Sequence, residues 1–202
     1  VTTTESLNAN FTNEGGYLWR YRYLKNIMGL WIIQNCRRNW NSRANSNKKY
    51  SFADLEKLAR SSKIGWESAI DINKQRFLAP ENMVSEVVEE CRSAHGIELS
   101  EIGDIMKCVY VSLALSYKNS IKELSELTGK AYTAVNIVGG GSKDGYLNEL
   151  TSSATALPVI AGPTEGTALG NLIIQFIAGK EFKTLQEARS AIGKSFELLE
   201  YK

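Results

Sequence analysis

The stretch Asn136-Ile137-Val138-Gly139-Gly140-Gly141-Ser142 decides how this chain is read. A β-branched run stops abruptly at three glycines and a serine, and a helix-compatible segment follows. Strand, glycine turn and helix N-terminus together make a phosphate-facing arrangement. Glycine lets backbone approach an anion closely, and the unpaired N–H groups of a helix start point at it. A second unit of the same kind comes next: Pro158-Val159-Ile160-Ala161-Gly162-Pro163, then Glu165-Gly166-Thr167-Ala168-Leu169-Gly170-Asn171. Two strand–turn–helix units in succession point to the nucleotide half of an α/β phosphotransferase. The same residues would also serve a tight strand-to-helix turn that meets no ligand. The triplet is not a Walker A loop, because Lys143 follows Ser142 directly and no Gly-Lys-Ser/Thr stands at the required spacing. It is not the dinucleotide fingerprint either, since the third glycine of that pattern and its downstream acid are absent.

Outward from this stretch, the bulk properties set limits. The chain has 202 residues, enough for a real core in one domain or one and a half. Its 24 basic and 22 acidic residues leave a net charge of +2, too even to argue for a nucleic-acid or anionic-membrane partner. No apolar run approaches the ~20 residues of a membrane span. Three cysteines, Cys36, Cys91 and Cys108, fit a cytoplasmic protein better than a secreted disulfide scaffold. The chain opens Val1-Thr2-Thr3-Thr4-Glu5, without Met and without a signal region, as an internal cut would leave it. The polar run Asn41–Lys49 reads as the most linker-like piece.

Apolar periodicity then places the elements. Phe11–Gly16 reads as a short strand ending in a turn. From about Tyr21 to Trp40, Leu24, Ile27, Met28, Trp31, Ile32 and Cys36 recur at three- and four-residue steps, which predicts an amphipathic helix. Gly29 inside it implies that something packs close to its backbone. Ser51 and Asp54 form an N-cap and capping-box pair for a helix to about Ser61. Pro80-Glu81 starts a helix that Gly96 ends, with His95 as a C-terminal helix residue. The longest helical pattern runs from Ser100 to Leu127, with Gly129 after it. A strand over Tyr132–Val138, a helix from Gly145 to Ala154, a strand at Val159–Ile160, a helix from Thr164 to Ile177 and a last helix capped by Thr184 complete the chain. The strands are few and late, so the fold class is helix-rich α/β.

Four further features have two readings each. Asn26 and Gln34, eight positions apart on the predicted helix, would lie about 80° around it and roughly 12 Å along it, the reach of an adenosine. Spacing alone favours two ordinary solvated amides. Trp19-Arg20-Tyr21-Arg22-Tyr23-Leu24-Lys25, with Arg37 and Arg38 nearby, interleaves basic residues with aromatics, as single-strand nucleic-acid binders do, but a solvated face with aromatic packing fits the near-neutral charge better. Cys91 and Cys108 sit on consecutive helices, either as reduced buried thiols or as a disulfide if those helices are antiparallel neighbours. The single histidine, His95, finds no set of partners for a triad or a metal site.

Taken together, the residues resemble a known family. Phe11–Gly16 followed by Leu24-Lys25-Asn26-Ile27-Met28-Gly29-Leu30-Trp31 closely resembles the rhamnulokinase branch of the FGGY carbohydrate kinases. The resemblance continues through Arg76–Pro80, Ser112–Tyr117, Ile137–Ser142, Ile160–Pro163 and Thr167–Asn171, and so covers most of the chain. It implies the ribonuclease H-like, actin-like ATPase fold, specifically the C-terminal nucleotide-binding domain over residues 1–202, with the N-terminal sugar-binding domain absent from this chain. It implies ATP and Mg²⁺ as cofactors and transfer of the γ-phosphoryl to the 1-hydroxyl of L-rhamnulose. Position by position, Asn26, Gln34 and Gly140 match ATP-contacting positions, Gly139 and Gly141 shape the same turn, and the family's cysteine pair matches Cys91 and Cys108. The carboxylate base of the family lies upstream of Val1, so no catalytic residue and no metal ligand is expected here, and the chain alone should phosphorylate nothing. The alternatives are a kinase for another ketose, such as L-fuculose or D-xylulose, and a non-catalytic actin-like binding module. This sequence departs from the family pattern at Asp144, Glu149, Ser152-Ser153 and Gly166. An acidic Asp144 beside a phosphate would repel it unless Mg²⁺ or Lys143 intervened.

Overall fold

The computed structural model describes residues 1–42 and 48–202. Residues 43–47, the middle of the expected linker, lie outside the described residues. The chain divides into two compact units, one formed by Val1–Lys25 with Glu123–Lys202 and the other by Asn26–Lys122.

The first unit begins with a short helix, α1 (Thr4–Asn8), and the strands β1 (Phe11–Gly15) and β2 (Tyr21–Lys25). These pair as an antiparallel hairpin in the register Phe11↔Lys25 to Gly15↔Tyr21. The predicted helix over Tyr21–Trp40 is therefore corrected: its first quarter is a strand. Aromatic residues favour a pleated surface, and the cross-strand partner supplies what local periodicity cannot show. The Phe11 and Tyr23 rings stack at 4.7 Å, and Lys25 reaches both the Phe11 ring and the Glu123 carboxylate.

Its second sheet holds three strands in the order β3 (Val135–Ile137), β4 (Val159–Ala161), β5 (Leu199–Tyr201). The β3–β4 pair is parallel and the β4–β5 pair antiparallel. A parallel pair needs a crossover, and α6 (Gly145–Thr155) provides it. Val159 and Ala161 on the central strand are buried, as are Tyr146 and Leu147 of α6. α7 (Gly166–Ala178) and α8 (Leu185–Ser195) follow, and Thr184 caps α8 by accepting from the Glu187 amide at 3.1 Å. The sequence pattern did not foresee β5. It is three residues long, and Ser152 of α6 ties it in by donating to the Leu157 and Tyr201 carbonyls.

The second unit is helical. α2 (Trp31–Asn41), α3 (Phe52–Ser61), α4 (Met83–His95) and α5 (Ile102–Thr128, to Lys122 in this unit) carry its core. Ile32, Cys36, Leu55, Ala59, Val87, Met106, Val109 and Leu113 are fully buried there. At the start of α3 the capping box forms as predicted. The Ser51 hydroxyl accepts from the Asp54 amide at 3.1 Å, and Asp54 accepts from the Ser51 amide at 2.8 Å. α4 starts at Met83 rather than at Pro80, because Asn82 caps it by accepting from the Ser85 amide. Trp66–Leu78 is irregular, as expected, apart from two single turns of 3-10 helix. Here Glu90 is buried between Lys74 and Arg76. Burial works to raise its pKa, but the hydrogen bonds from these two cations hold the carboxyl below its usual range.

Candidate functional site

The glycine triplet leaves β3 as a 3-10 turn, Gly139–Lys143, that runs directly into α6. Gly139 adopts φ +77°, a left-handed conformation that side chains rarely take. Its amide donates to the Pro163 carbonyl at 3.2 Å, and the Gly162 amide donates to the Ile137 carbonyl at 2.8 Å, so the turn is tied to the exit of β4. Inside the turn, the Ser142 hydroxyl donates to the Gly139 carbonyl at 2.7 Å. A Cβ added at Gly140 would meet nothing within 4 Å. The backbone there faces open space that a bound group can enter.

Asp144 does not stand free beside that space. Its carboxylate caps α6 by accepting from the Leu147 amide at 3.0 Å. Sequence spacing could have shown this structural task, since an Asp three residues before an amide at a helix start is a cap.

The second strand–turn–helix unit is built differently. Gly162 adopts φ +118°, and a Cβ there would come within 3.1 Å of the Glu197 carbonyl and 3.2 Å of Leu198. At Gly166 a Cβ would stand 3.0 Å from the Val138 Cβ. These glycines make room for neighbouring chain.

Asn26 and Gln34 belong to the second unit, whereas Gly139–Gly141 belong to the first. The two amides do not share a helix as expected, because Asn26 lies in the segment between β2 and α2, and only Gln34 is helical. Gly29 likewise precedes the helix, and nothing lies within 4 Å of where its Cβ would be. Asn26 is exposed. Gln34, also exposed, lines a cavity of about 470 Å³ with Arg37, Arg38, Asn41, Ser42 and Phe52. Arg37 lies over the Phe52 ring at 4.5 Å and donates to the Tyr50 carbonyl, while Arg38 lies over the Trp31 ring at 5.7 Å. Sequence alone groups the two arginines with the basic–aromatic stretch and not with Gln34, though their i+3 and i+4 spacing from Gln34 puts them on its face.

The three cysteines are buried free thiols. Both Cys91 and Cys108 point at the Ser68 carbonyl, at 3.6 and 3.0 Å. A hydrogen bond to Cys91, and then burial, pushes the Cys108 thiol well up. Burial alone raises Cys36 to about 12. His95, in the last turn of α4, bonds the Ala69 carbonyl at 2.7 Å. In the basic–aromatic stretch, Arg22 pairs with Glu14 at 2.9 Å across the hairpin, and Trp19 is 95% exposed. Among the described residues, no three His, Cys, Asp or Glu side chains gather as a metal site, and no helix is long and apolar enough to cross a membrane.

A glycine turn, exposed at Gly140, thus joins a parallel strand to a helix start. The profile of the FGGY family of carbohydrate kinases, C-terminal domain, matches residues 1–179, and the chain belongs to this family. Among its relatives, the rhamnulokinase of Halalkalibacterium halodurans is 41% identical over 202 residues, covering 100% of this chain and 41% of the relative. That of Oceanobacillus iheyensis is 40% identical, covering 100% and 41%, and that of Bacillus subtilis 37%, covering 98% and 39%. The chain thus spans about two-fifths of the length of these relatives. A crystal structure of gluconate kinase from Lactobacillus acidophilus superposes with a TM-score of 0.60 over 95% of this chain and 37% of that one, at 14% identity. The fold is that of the actin-like ATPase C-terminal domain, as expected.

Proposed function

We propose that this chain is the nucleotide-binding domain of an ATP-dependent ketose kinase acting on the 1-hydroxyl of L-rhamnulose. The observation that carries the nucleotide part is the open face of Gly140 in a turn whose other positions are tied down. The kinship with rhamnulokinases supports the choice of sugar.

The residues present fit Mg·ATP in kind. The Gly139–Gly141 turn and the start of α6 offer backbone amides to phosphate oxygens. Asn26 and Gln34 offer amide groups, each able to donate and accept, to the edge of an adenine. When bound, Mg·ATP supplies the phosphoryl group. The metal is expected to be held chiefly by phosphate oxygens, in keeping with the usual sharing of Mg²⁺ between substrate and few protein ligands. The carboxylate that takes the proton of the attacking hydroxyl is assigned to an N-terminal domain that also holds the sugar. Such transfer depends on positioning and charge stabilisation, so this chain alone should turn over no sugar. A cytoplasmic location and the absence of a nucleic-acid partner go with this reading. Cys91 and Cys108 are proposed to be able to close a disulfide under oxidising conditions, detectable as the loss of two hydrogens in the intact mass.

The test is ADP release by the full-length parent enzyme over a panel of L-rhamnulose, L-fuculose and D-xylulose. The expected result is highest kcat/KM with L-rhamnulose and none with the isolated chain. A preference for another ketose would replace the sugar assignment, and failure with every ketose would favour a non-catalytic module.

A further inference from the structure

We propose that Asn148 is a positioning residue for the glycine turn, holding its exit so that the turn keeps its nucleotide-ready course. Asn148 lies on α6 and is 0% exposed. Its side-chain amide donates at 3.2 Å to the carbonyl of Ser142, the residue directly after Gly141. Its backbone amide donates to the Asp144 carbonyl at 3.1 Å, and the Asp144 amide donates in turn to the Gly141 carbonyl at 3.2 Å. The turn is thereby pinned from both ends. At its entry Gly139 is held by Pro163, and at its exit the Ser142 carbonyl is held by Asn148.

The other half of the Asn148 side chain argues for a task beyond packing. Its Oδ1 is buried with no hydrogen-bond partner. A buried acceptor left unpaired is destabilising, and an apolar side chain of the same shape would avoid that penalty. What an apolar residue could not do is hold a carbonyl. The arrangement accepts one unsatisfied oxygen for one fixed carbonyl beside three consecutive glycines, residues whose backbone is least restricted by sterics.

This inference rests on the nucleotide reading of the turn for its functional part only. The test is Asn148→Leu in the 202-residue chain, with Asn148→Ala carrying the same readouts if leucine does not fit. Thermal melting, hydrogen exchange over residues 139–143 and calorimetric titration with Mg·ADP are measured together. The expected result is an unchanged or raised Tm, faster exchange confined to the turn, and Mg·ADP bound at least about tenfold more weakly, a factor worth ~1.4 kcal/mol. Unchanged exchange in the turn of a folded variant overturns the positioning role, whatever the wild type binds. Faster exchange with unchanged Mg·ADP affinity overturns the link to binding. A wild type that binds no Mg·ADP overturns the nucleotide reading, and the exchange result still decides the positioning role.

Discussion

Two turns in the first unit share a sequence plan, strand then glycines then helix, and use their glycines for opposite ends. In the Gly139–Gly141 turn a Cβ at Gly140 would touch nothing, so the backbone there opens onto space. At Gly162–Gly166 the backbone is crowded, with Glu197, Leu198 and Val138 standing where side chains would go. The first turn leaves Gly140 accessible, and the second uses its glycines for packing. Sequence alone shows two similar motifs. The difference lies in what the neighbouring chain does, and β5, which follows closely on Glu197 and Leu198, was invisible to periodicity.

Substitutions should separate the two turns. Gly162→Ala is expected to have the largest effect, a loss of roughly 3 kcal/mol from overpacking combined with a positive-φ strain, read as a lower Tm. A variant as stable as wild type would mean that the second turn is as open as the first. Gly140→Ala should leave stability within about 0.5 kcal/mol while weakening nucleotide binding at least tenfold. Asp144→Ala removes the α6 cap and should cost about 1 kcal/mol of stability. If it instead strengthens Mg·ADP binding with no loss of stability, the acid acts on the phosphate and not as a cap.

The smallest effect serves as a control outside both turns. Hydrogen bonds from the Ser51 side chain and backbone hold the Asp54 carboxyl below its usual range. Its folded pKa lies under the unfolded value of about 3.9, so its contribution is present above that pH and fades as pH falls through the folded pKa. Ser51→Ala should therefore flatten the acid limb of the stability curve and leave nucleotide affinity untouched.

Much of this was legible in the chain. The α3 capping box, the Gly96 and Gly129 helix ends and the extent of the long helix α5 rest on local rules, and the structure follows them. The Tyr21–Trp40 helix misled because the three-residue step from Leu24 to Ile27 is shared by a strand end and a loop. Only the pairing with β1 distinguishes them. For the candidate site, the turn was visible in its three glycines. Asn148 was not, because its role depends on the Ser142 carbonyl six residues back, across a turn whose path the sequence does not state. Gln34 was found through resemblance, while the cavity beside it depends on Phe52, brought near by packing.

The central claim is that the open glycine turn is the nucleotide-phosphate site of this domain. Calorimetric titration of wild type and Gly140→Ala with Mg·ADP, with Mg·GDP as the competing base, tests it most directly. The account predicts saturable Mg·ADP binding by the wild type, weaker Mg·GDP binding, and at least a tenfold loss in a Gly140→Ala variant that melts like wild type. Equal Mg·ADP affinity in the two proteins, or none in the wild type, would contradict it.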